Sequence, residues 1–380
     1  MKRLLIVIGL LLLFFNAKAQ TNVLAVGDSL YNYGSYAKAI SYYNQLEDAL
    51  PYSQQIAKSY VFLGNYDQAI TYYNKALNSN RSNALLKFEL CKLLIQTGKL
   101  QEAEVLLLEL ANTDAVNPNY QYYLGVVSNA LGQYISAQDY FFKVFELDDS
   151  NQKALYELAK YNLKNRSFDI VEYYVKTGLK AYPNNKKLIA LGGQSYYLQE
   201  DYHKAIAQFL KLLELGETTK FVNEKLGYAY GKIYNYSKAI TYLEKALEKD
   251  PKDAYNHYQL GLNYQRNTQY LLAEKHIAES IKLQEEPLDE VYIKLGVVYN
   301  LQEKHADAIQ AFTKAIQENP GSEAAYFYRV YTKLVFYKNM DTKIEDVESF
   351  NKRFPGSKYI PILNVKLAEL KSQDFQNKSE

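Results

Sequence analysis

A serine behind an acid, Gly27-Asp28-Ser29-Leu30, is the stretch of this chain that comes closest to a reactive centre. A serine hydroxyl attacks a carbonyl only when a neighbouring base removes its proton and a third group holds that base in place. Four histidines could serve, His203, His257, His276 and His305, but three residues before them stand Glu200, Ala254, Ala273 and Gln302. There is no Asp-x-x-His pair, and Ser29 is left without a base. Nor does any His-x3-His or His-Glu-x-x-His spacing place two ligands on one helix face, so no metal site is expected. Gly192-Gly193 lacks the further glycines and the Lys-Ser/Thr that a phosphate-cradling loop needs. Cys91 is the single cysteine, which excludes a disulfide framework. The many carboxylates are scattered as on solvated helix faces. The expectation is a non-enzyme with no catalytic, cofactor-binding or metal-binding residues and no cofactor.

The elements that would carry these residues follow a fixed period. Ala57, Cys91, Gly125, Ala159, Gly193, Gly227 and Gly261 recur every 34 residues, and 12 residues after each come Ala69, Ala103, Ala137, Val171, Ala205, Ala239 and Ala273. Two small positions per period predict two helices per period, each pressed against the other where one has no bulk. Apolar residues flank the small ones at i, i+3, i+4 spacing, as in Leu90-Cys91-Leu94 and Leu226-Gly227-Tyr230. Pro183, Pro251 and Pro320 each fall 24 residues after a small residue, where a helix must end. Gly27 with Ala39 and Gly296 with Ala308 extend the series at both ends. Gly27 and Leu30 are therefore packing positions of the first unit, and the likeness of this string to the nucleophile block of the GDSL esterases stops at the letters. Cys91 falls at a small-residue position and reads as a buried small hydrophobe.

At the amino terminus, Met1-Lys2-Arg3, the apolar run Leu4 to Phe15 and Ala17-Lys18-Ala19 before Gln20 predict a secretory signal peptide over 1–19. The apolar run is too short to cross a bilayer, for which about twenty residues are needed. No cysteine follows the expected cleavage site, and no later segment is apolar enough to span. The expectation is an exported chain with no stable membrane insertion after signal cleavage, periplasmic in preference to secreted. Removing Lys2, Arg3 and Lys18 leaves 41 basic against 42 acidic residues, and the formal charge moves from +2 to −1. Such a chain lacks the positive field that drives binding to phosphates, and nucleic acid is not an expected partner.

The 34-residue period, the small residue of each first helix and the alanine of each second helix resemble the tetratricopeptide repeat (TPR) family. An export signal ending in Ala-x-Ala-Gln on a chain rich in Tyr, Asn and Lys is similar to envelope proteins of the Bacteroidetes type. The resemblance implies an all-α, right-handed superhelical solenoid. Its expected parts are nine repeats over 20–321, a divergent tenth over 322–356 where Val330 and Thr342 replace the small residues, a capping helix over 357–371 and a disordered tail over 372–380. In TPR proteins the first helices (A) line a concave groove through residues three before, one after, and four or five after the small position. That register gives Phe88, Tyr122, Tyr156 and Tyr258 three before. It gives Lys58, Lys92, Lys160 and Tyr228 one after, and Phe62, Gln96, Asn129, Lys164, Tyr197, Lys232 and Arg266 further on. The implied groove is aromatic and basic, suited to a segment of another envelope protein, with peptidoglycan as an alternative because rings stack on sugar faces. The family's carboxylate clamp calls for Lys three before the small residue, and no repeat here has it.

Overall fold

The computed structural model describes residues 22–283 and 288–379, with side chains through 375. The expected signal peptide and the loop around Glu286-Pro287 lie outside the described residues. All described secondary structure is helical, and the chain divides into unit 1, through Ala181, and unit 2, from Tyr182.

In unit 1 the helices pair as hairpins: α1 (22–32) with α2 (Tyr36–Tyr43), α3 (Ser53–Phe62) with α4 (Tyr66–Ser79), and α5 (Ala84–Gln96) with α6 (Leu100–Thr113). Two further hairpins follow, α7 (Pro118–Ala130) with α8 (Tyr134–Leu147) and α9 (Gln152–Lys164) with α10 (Phe168–Ala181). Unit 2 continues the scheme with α11 (Lys186–Leu198) and α12 (Tyr202–Glu214), α13 (Lys220–Lys232) and α14 (Tyr236–Lys249), and α15 (Ala254–Arg266) and α16 (Tyr270–Leu283). Then come α17 (Asp289–Leu301) with α18 (His305–Glu318), α19 (Glu323–Phe336) with α20 (Met340–Arg353), and α21 (Ile360–Ser379).

The sequence sets both ends of the A helices from α5 to α15. Asn83, Asn117, Asn151, Asn185, Thr219 and Asp253, one period apart, cap α5, α7, α9, α11, α13 and α15, their side chains accepting from backbone N–H groups of the first turn. At the other end the helix closes on a left-handed residue, seven after the small position. In α3 the Gly64 N–H donates to the Val61 carbonyl at 3.0 Å and the Asn65 N–H to the Tyr60 carbonyl at 2.9 Å. This pair of bonds satisfies carbonyls that the helix end would otherwise leave open. The same pair recurs around Gly98, Gly132, Arg166, Glu200, Tyr234, Thr268 and Glu303.

The small positions are where the two helices of a hairpin meet. Ala57, Cys91, Ala159 and every second-helix partner from Ala39 to Ala308 have no exposed surface. The nearest neighbour of each A-helix packing glycine is the side chain sixteen residues on. A methyl group on Gly125 would stand 2.6 Å from Phe141, on Gly193 2.9 Å from Phe209, and on Gly296 2.5 Å from Phe312. In the hairpins where the small residue carries a Cβ, the residue sixteen on is Tyr73, Leu107 or Val175, each buried. All three phenylalanines at this site face glycine. Burying such a ring contributes about 2–3 kcal/mol, and only a bare backbone lets it lie so close.

At the carboxy-terminal end, helix α20 begins at Met340 because Asn339 caps it by accepting from the Thr342 N–H at 3.1 Å. Helix α21 covers the expected cap, with Leu363 and Leu367 buried and Tyr359 stacked 4.2 Å from Phe327. It then continues through Ser379, where polarity had suggested a disordered tail over 372–380. Residues 372–379 contain neither glycine nor proline, so nothing in them interrupts the helical hydrogen bonds. Among the described residues no helix is long and apolar enough to cross a membrane.

Candidate partner-binding groove

The fifteen residues that the repeat register assigns to the groove all lie outside the core, and all but Lys58, which is half-buried, and Phe62, which is exposed, separate by chemistry. Gln96 falls with the exposed polar group. The rings of Phe88, Tyr122, Tyr156, Tyr197, Tyr228 and Tyr258 are half-buried, whereas Lys92, Asn129, Lys160, Lys164, Lys232 and Arg266 are exposed. The register explains part of the split: a residue three before the small position sits beside the helix-packing seam, and one placed one, four or five after it turns further toward solvent. Tyr228 and Tyr197 stand at those outer positions and are half-buried all the same, because their rings fold back against neighbouring side chains.

In unit 1 these residues shape two cavities. One, of about 420 Å³, is lined by Tyr31, Lys58, Phe62, Glu89, Lys92 and Gln96, with Tyr73 behind them. Lys58 Nζ is 2.9 Å from Glu89 Oε1, and Gln54 Nε2 donates to Glu89 Oε2 at 3.1 Å. Gln96 donates to the Tyr66 hydroxyl, and Lys92 Nζ lies 5.2 Å from the centre of the Phe88 ring. Burial, reinforced by the charge of Glu89, raises the Tyr73 hydroxyl well above the usual tyrosine value, and this group stays a neutral donor.

The second cavity, of about 390 Å³, is lined by Asn129, Tyr134, Phe141, Glu157, Lys160 and Lys164. Here Lys160 Nζ is 3.7 Å from Glu157 Oε2 and Lys164 Nζ lies 5.0 Å from the centre of the Tyr134 ring. Tyr122 borders this region against Tyr123 and Phe141, with Lys153 Nζ 5.4 Å from its ring. Burial pushes its hydroxyl up.

Unit 2 treats the same register differently. Lys225 stands where Glu89 and Glu157 stand, and its Nζ lies 5.5 to 5.9 Å from the ring centres of Tyr197, Phe221 and Tyr228. The Tyr228 hydroxyl donates to Asn256, which donates at 2.6 Å to Glu224. Tyr228 therefore belongs in part to a polar seam between repeats. Burial pushes Tyr197 up to about 12 and raises Tyr258. Arg266 lies 5.9 Å from the Tyr236 ring centre.

Sequence reasoning missed three features. Glu89 and Glu157 were set aside as solvated, although they share one register position two periods apart. Lys225 was passed over because the register of known grooves skips its position. His257 and His276, which spacing placed on opposite helices, are brought face to face by the α15–α16 hairpin, Nδ1 to Nδ1 at 2.9 Å, and His257 Nε2 is 3.1 Å from the Pro251 carbonyl. One proton shared between the two Nδ1 atoms satisfies that contact. Burial, with His257 beside it, pushes His276 down to about 4. No group of three or more potential metal ligands occurs among the described residues. Ser29, the one candidate nucleophile, lies inside α1 and is exposed, and neighbouring Asp28 accepts from the Tyr43 hydroxyl at 2.7 Å.

Family comparison is consistent with this repeat geometry. The tetratricopeptide repeat profile matches residues 63–124, and the profile of anaphase-promoting complex, cyclosome, subunit 3 matches 232–329. The chain is similar to a TPR repeat-containing protein of Methanocaldococcus jannaschii, 27% identical over 67% of this chain and 47% of that protein. It is also similar to Superkiller protein 3 of Schizosaccharomyces pombe, 25% identical over 51% of this chain and 15% of that protein. The chain thus spans less than half the length of these curated relatives. Among solved structures, YrrB, a TPR protein with an unusual peptide-binding site, aligns at 20% identity and a TM-score of 0.46, covering 49% of this chain and 95% of YrrB. The type IV pilus biogenesis factor PilW aligns at 18% identity and a TM-score of 0.46, covering 56% of this chain and 99% of PilW. The profile match over residues 63–124, together with a helical hairpin that recurs at the 34-residue period, identifies tetratricopeptide repeats in this chain.

Proposed function

We propose that this chain is an exported, non-catalytic scaffold of a bacterial cell envelope, working in the periplasm, that holds a segment of another envelope protein along its A-helix face. A role in outer-membrane assembly or secretion fits that location. The observation that carries the reading is the separation of chemistry on that face: half-buried rings offer contact area, and exposed lysine, arginine and asparagine tips beside them supply polar contacts. Half-buried aromatics lose little freedom on binding, which is why such surfaces serve as interaction hot spots.

Crosslinking from positions 122, 156 and 160 in intact cells, followed by identification of the attached protein, tests the partner. The expected result is one dominant envelope protein whose capture is lost in a Tyr122→Ala, Tyr156→Ala, Lys160→Ala triple variant. Unchanged capture by that variant would sink the groove reading. Co-sedimentation with purified peptidoglycan in place of protein capture would replace it with glycan binding. Amino-terminal sequencing of the protein from the periplasmic fraction tests export, with Gln20 expected as the first residue.

A further inference from the structure

We propose that the two cavities of unit 1 are paired subsites for two carboxylate side chains of a single extended peptide segment. This rests on the groove reading above and adds the chemistry of the ligand. The cavities share most of their lining register, although the second lysine of each comes from a different place: Lys58 of the preceding hairpin in the first, and Lys164, at the position of Gln96, in the second. Val61, Tyr73, Glu89, Lys92 and Gln96 line the first, and the residues two full periods later, Asn129, Phe141, Glu157, Lys160 and Lys164, line the second. In the hairpin between them Tyr123 and Val126 occupy the positions of the glutamate and the lysine, so the charged notch alternates with an apolar stretch.

Each cavity holds two lysines and one glutamate. In the first, Lys58 and Gln54 satisfy Glu89, which leaves Lys92 against the Phe88 ring. In the second, Lys160 faces Glu157, which leaves Lys164 against the Tyr134 ring. Neither Lys92 nor Lys164 has an acidic partner among the described residues. Each notch therefore carries one surplus positive charge beside an aromatic surface, the complement of an Asp or Glu side chain; a cationic side chain would meet the surplus lysine. In the α13–α14 hairpin of unit 2, Lys225 stands at the position of the glutamate and lies among three rings. Hairpin layers stack at a helix-packing distance of about 8–10 Å, so notches two layers apart are separated by about 16–20 Å. An extended chain covers that distance in about five or six residues.

The test is selection of phage-displayed random peptides of about sixteen residues on the full-length mature protein. Fluorescence anisotropy of the enriched peptides follows. The expected peptides carry two acidic residues five or six apart, and Lys92→Gln and Lys164→Gln each weaken their binding about tenfold. Replacing either acid by its amide should have the same effect, and salt should weaken binding further. Enriched peptides without acids overturn the proposal, and if their binding is lost in Tyr122→Ala the groove reading survives without it. Acids eleven or twelve apart, the spacing of a bound helix, overturn the extended segment. Preference for phosphorylated over acidic peptides overturns the carboxylate assignment. Failure to enrich any peptide, combined with no crosslinked partner in cells, overturns both readings.

Discussion

In unit 1 glycine occupies the left-handed turn of four hairpins, at Gly34, Gly64, Gly98 and Gly132, while Ala57, Cys91 and Ala159 fill three of the five A-helix packing positions. Unit 2 reverses the placement: Gly193, Gly227, Gly261 and Gly296 sit at the packing positions, and the turns are made by Glu200, Tyr234, Thr268 and Glu303 at φ of 60 to 64°. A non-glycine residue held in that region costs about 1–2 kcal/mol, and a glycine inside a helix about 0.5–1 kcal/mol against alanine. The hairpins of unit 2 accept both costs, which are offset by the close seating of Phe209, Leu243, Ile277 and Phe312 against bare backbone. The comparison teaches that one hairpin geometry has two points that favour glycine, and that a hairpin with glycine only at the packing point carries both the turn strain and the helix cost.

The largest test of that comparison is steric. Gly296→Val and Gly261→Val should lower stability by about 3 kcal/mol, because the added carbons meet Phe312 and Ile277 inside van der Waals contact. Ala159→Gly should cost only about 1 kcal/mol. Because repeats unfold in part independently, hydrogen exchange in α17, α15 and α9 measures each effect where it arises. If Gly296→Val proves neutral, the packing half of the comparison is wrong.

The turns should give smaller shifts of opposite sign in the two units. Tyr234→Gly and Thr268→Gly are expected to stabilise by about 1 kcal/mol, since they relieve the left-handed strain. Gly64→Ala and Gly98→Ala should destabilise by about the same amount. Denaturant titration of the four variants decides it, and loss of stability in Tyr234→Gly would show that its ring contact with Tyr236 outweighs the strain.

Two titrations separate the units further. In unit 1 burial pushes the Cys91 thiol up to about 12, so at neutral pH a thiol reagent should modify it only as fast as α5 opens. Labelling at the rate of a free thiol would contradict its packing position. In unit 2, His276 is neutral when folded and its ordinary value is 6.5. Unfolding lets it take up a proton, so the stability linked to it is complete above pH 6.5 and is lost as pH falls from 6.5 towards 4. Melting temperature should drop across that window, and less so in His276→Phe. Lys275 and Glu279 lie beside His276 and oppose each other's influence, which leaves burial as the main cause. An identical acid profile in the variant would remove the histidine pair from the account.

The sequence by itself determined the repeating hairpin. Backbone hydrogen bonding is local and the 34-residue spacing of small residues leaves one way to pair the helices, so the hairpin register and the buried Cys91 were legible from Gly27 to Ala308. The caps Asn83, Asn117, Asn151, Asn185, Thr219 and Asp253 form a second series at the same period, carried by the sequence as well. The tertiary structure alone decided which side chains meet across helices: His257 with His276, Lys58 with Glu89, Lys225 among three rings, and the enclosure of the two notches. The same holds for the left-handed backbone at Tyr234 and Thr268, which a bulky residue adopts only because the hairpin on either side fixes it. Such contacts depend on rotamers and on the angle between packed helices, and a one-dimensional period carries neither.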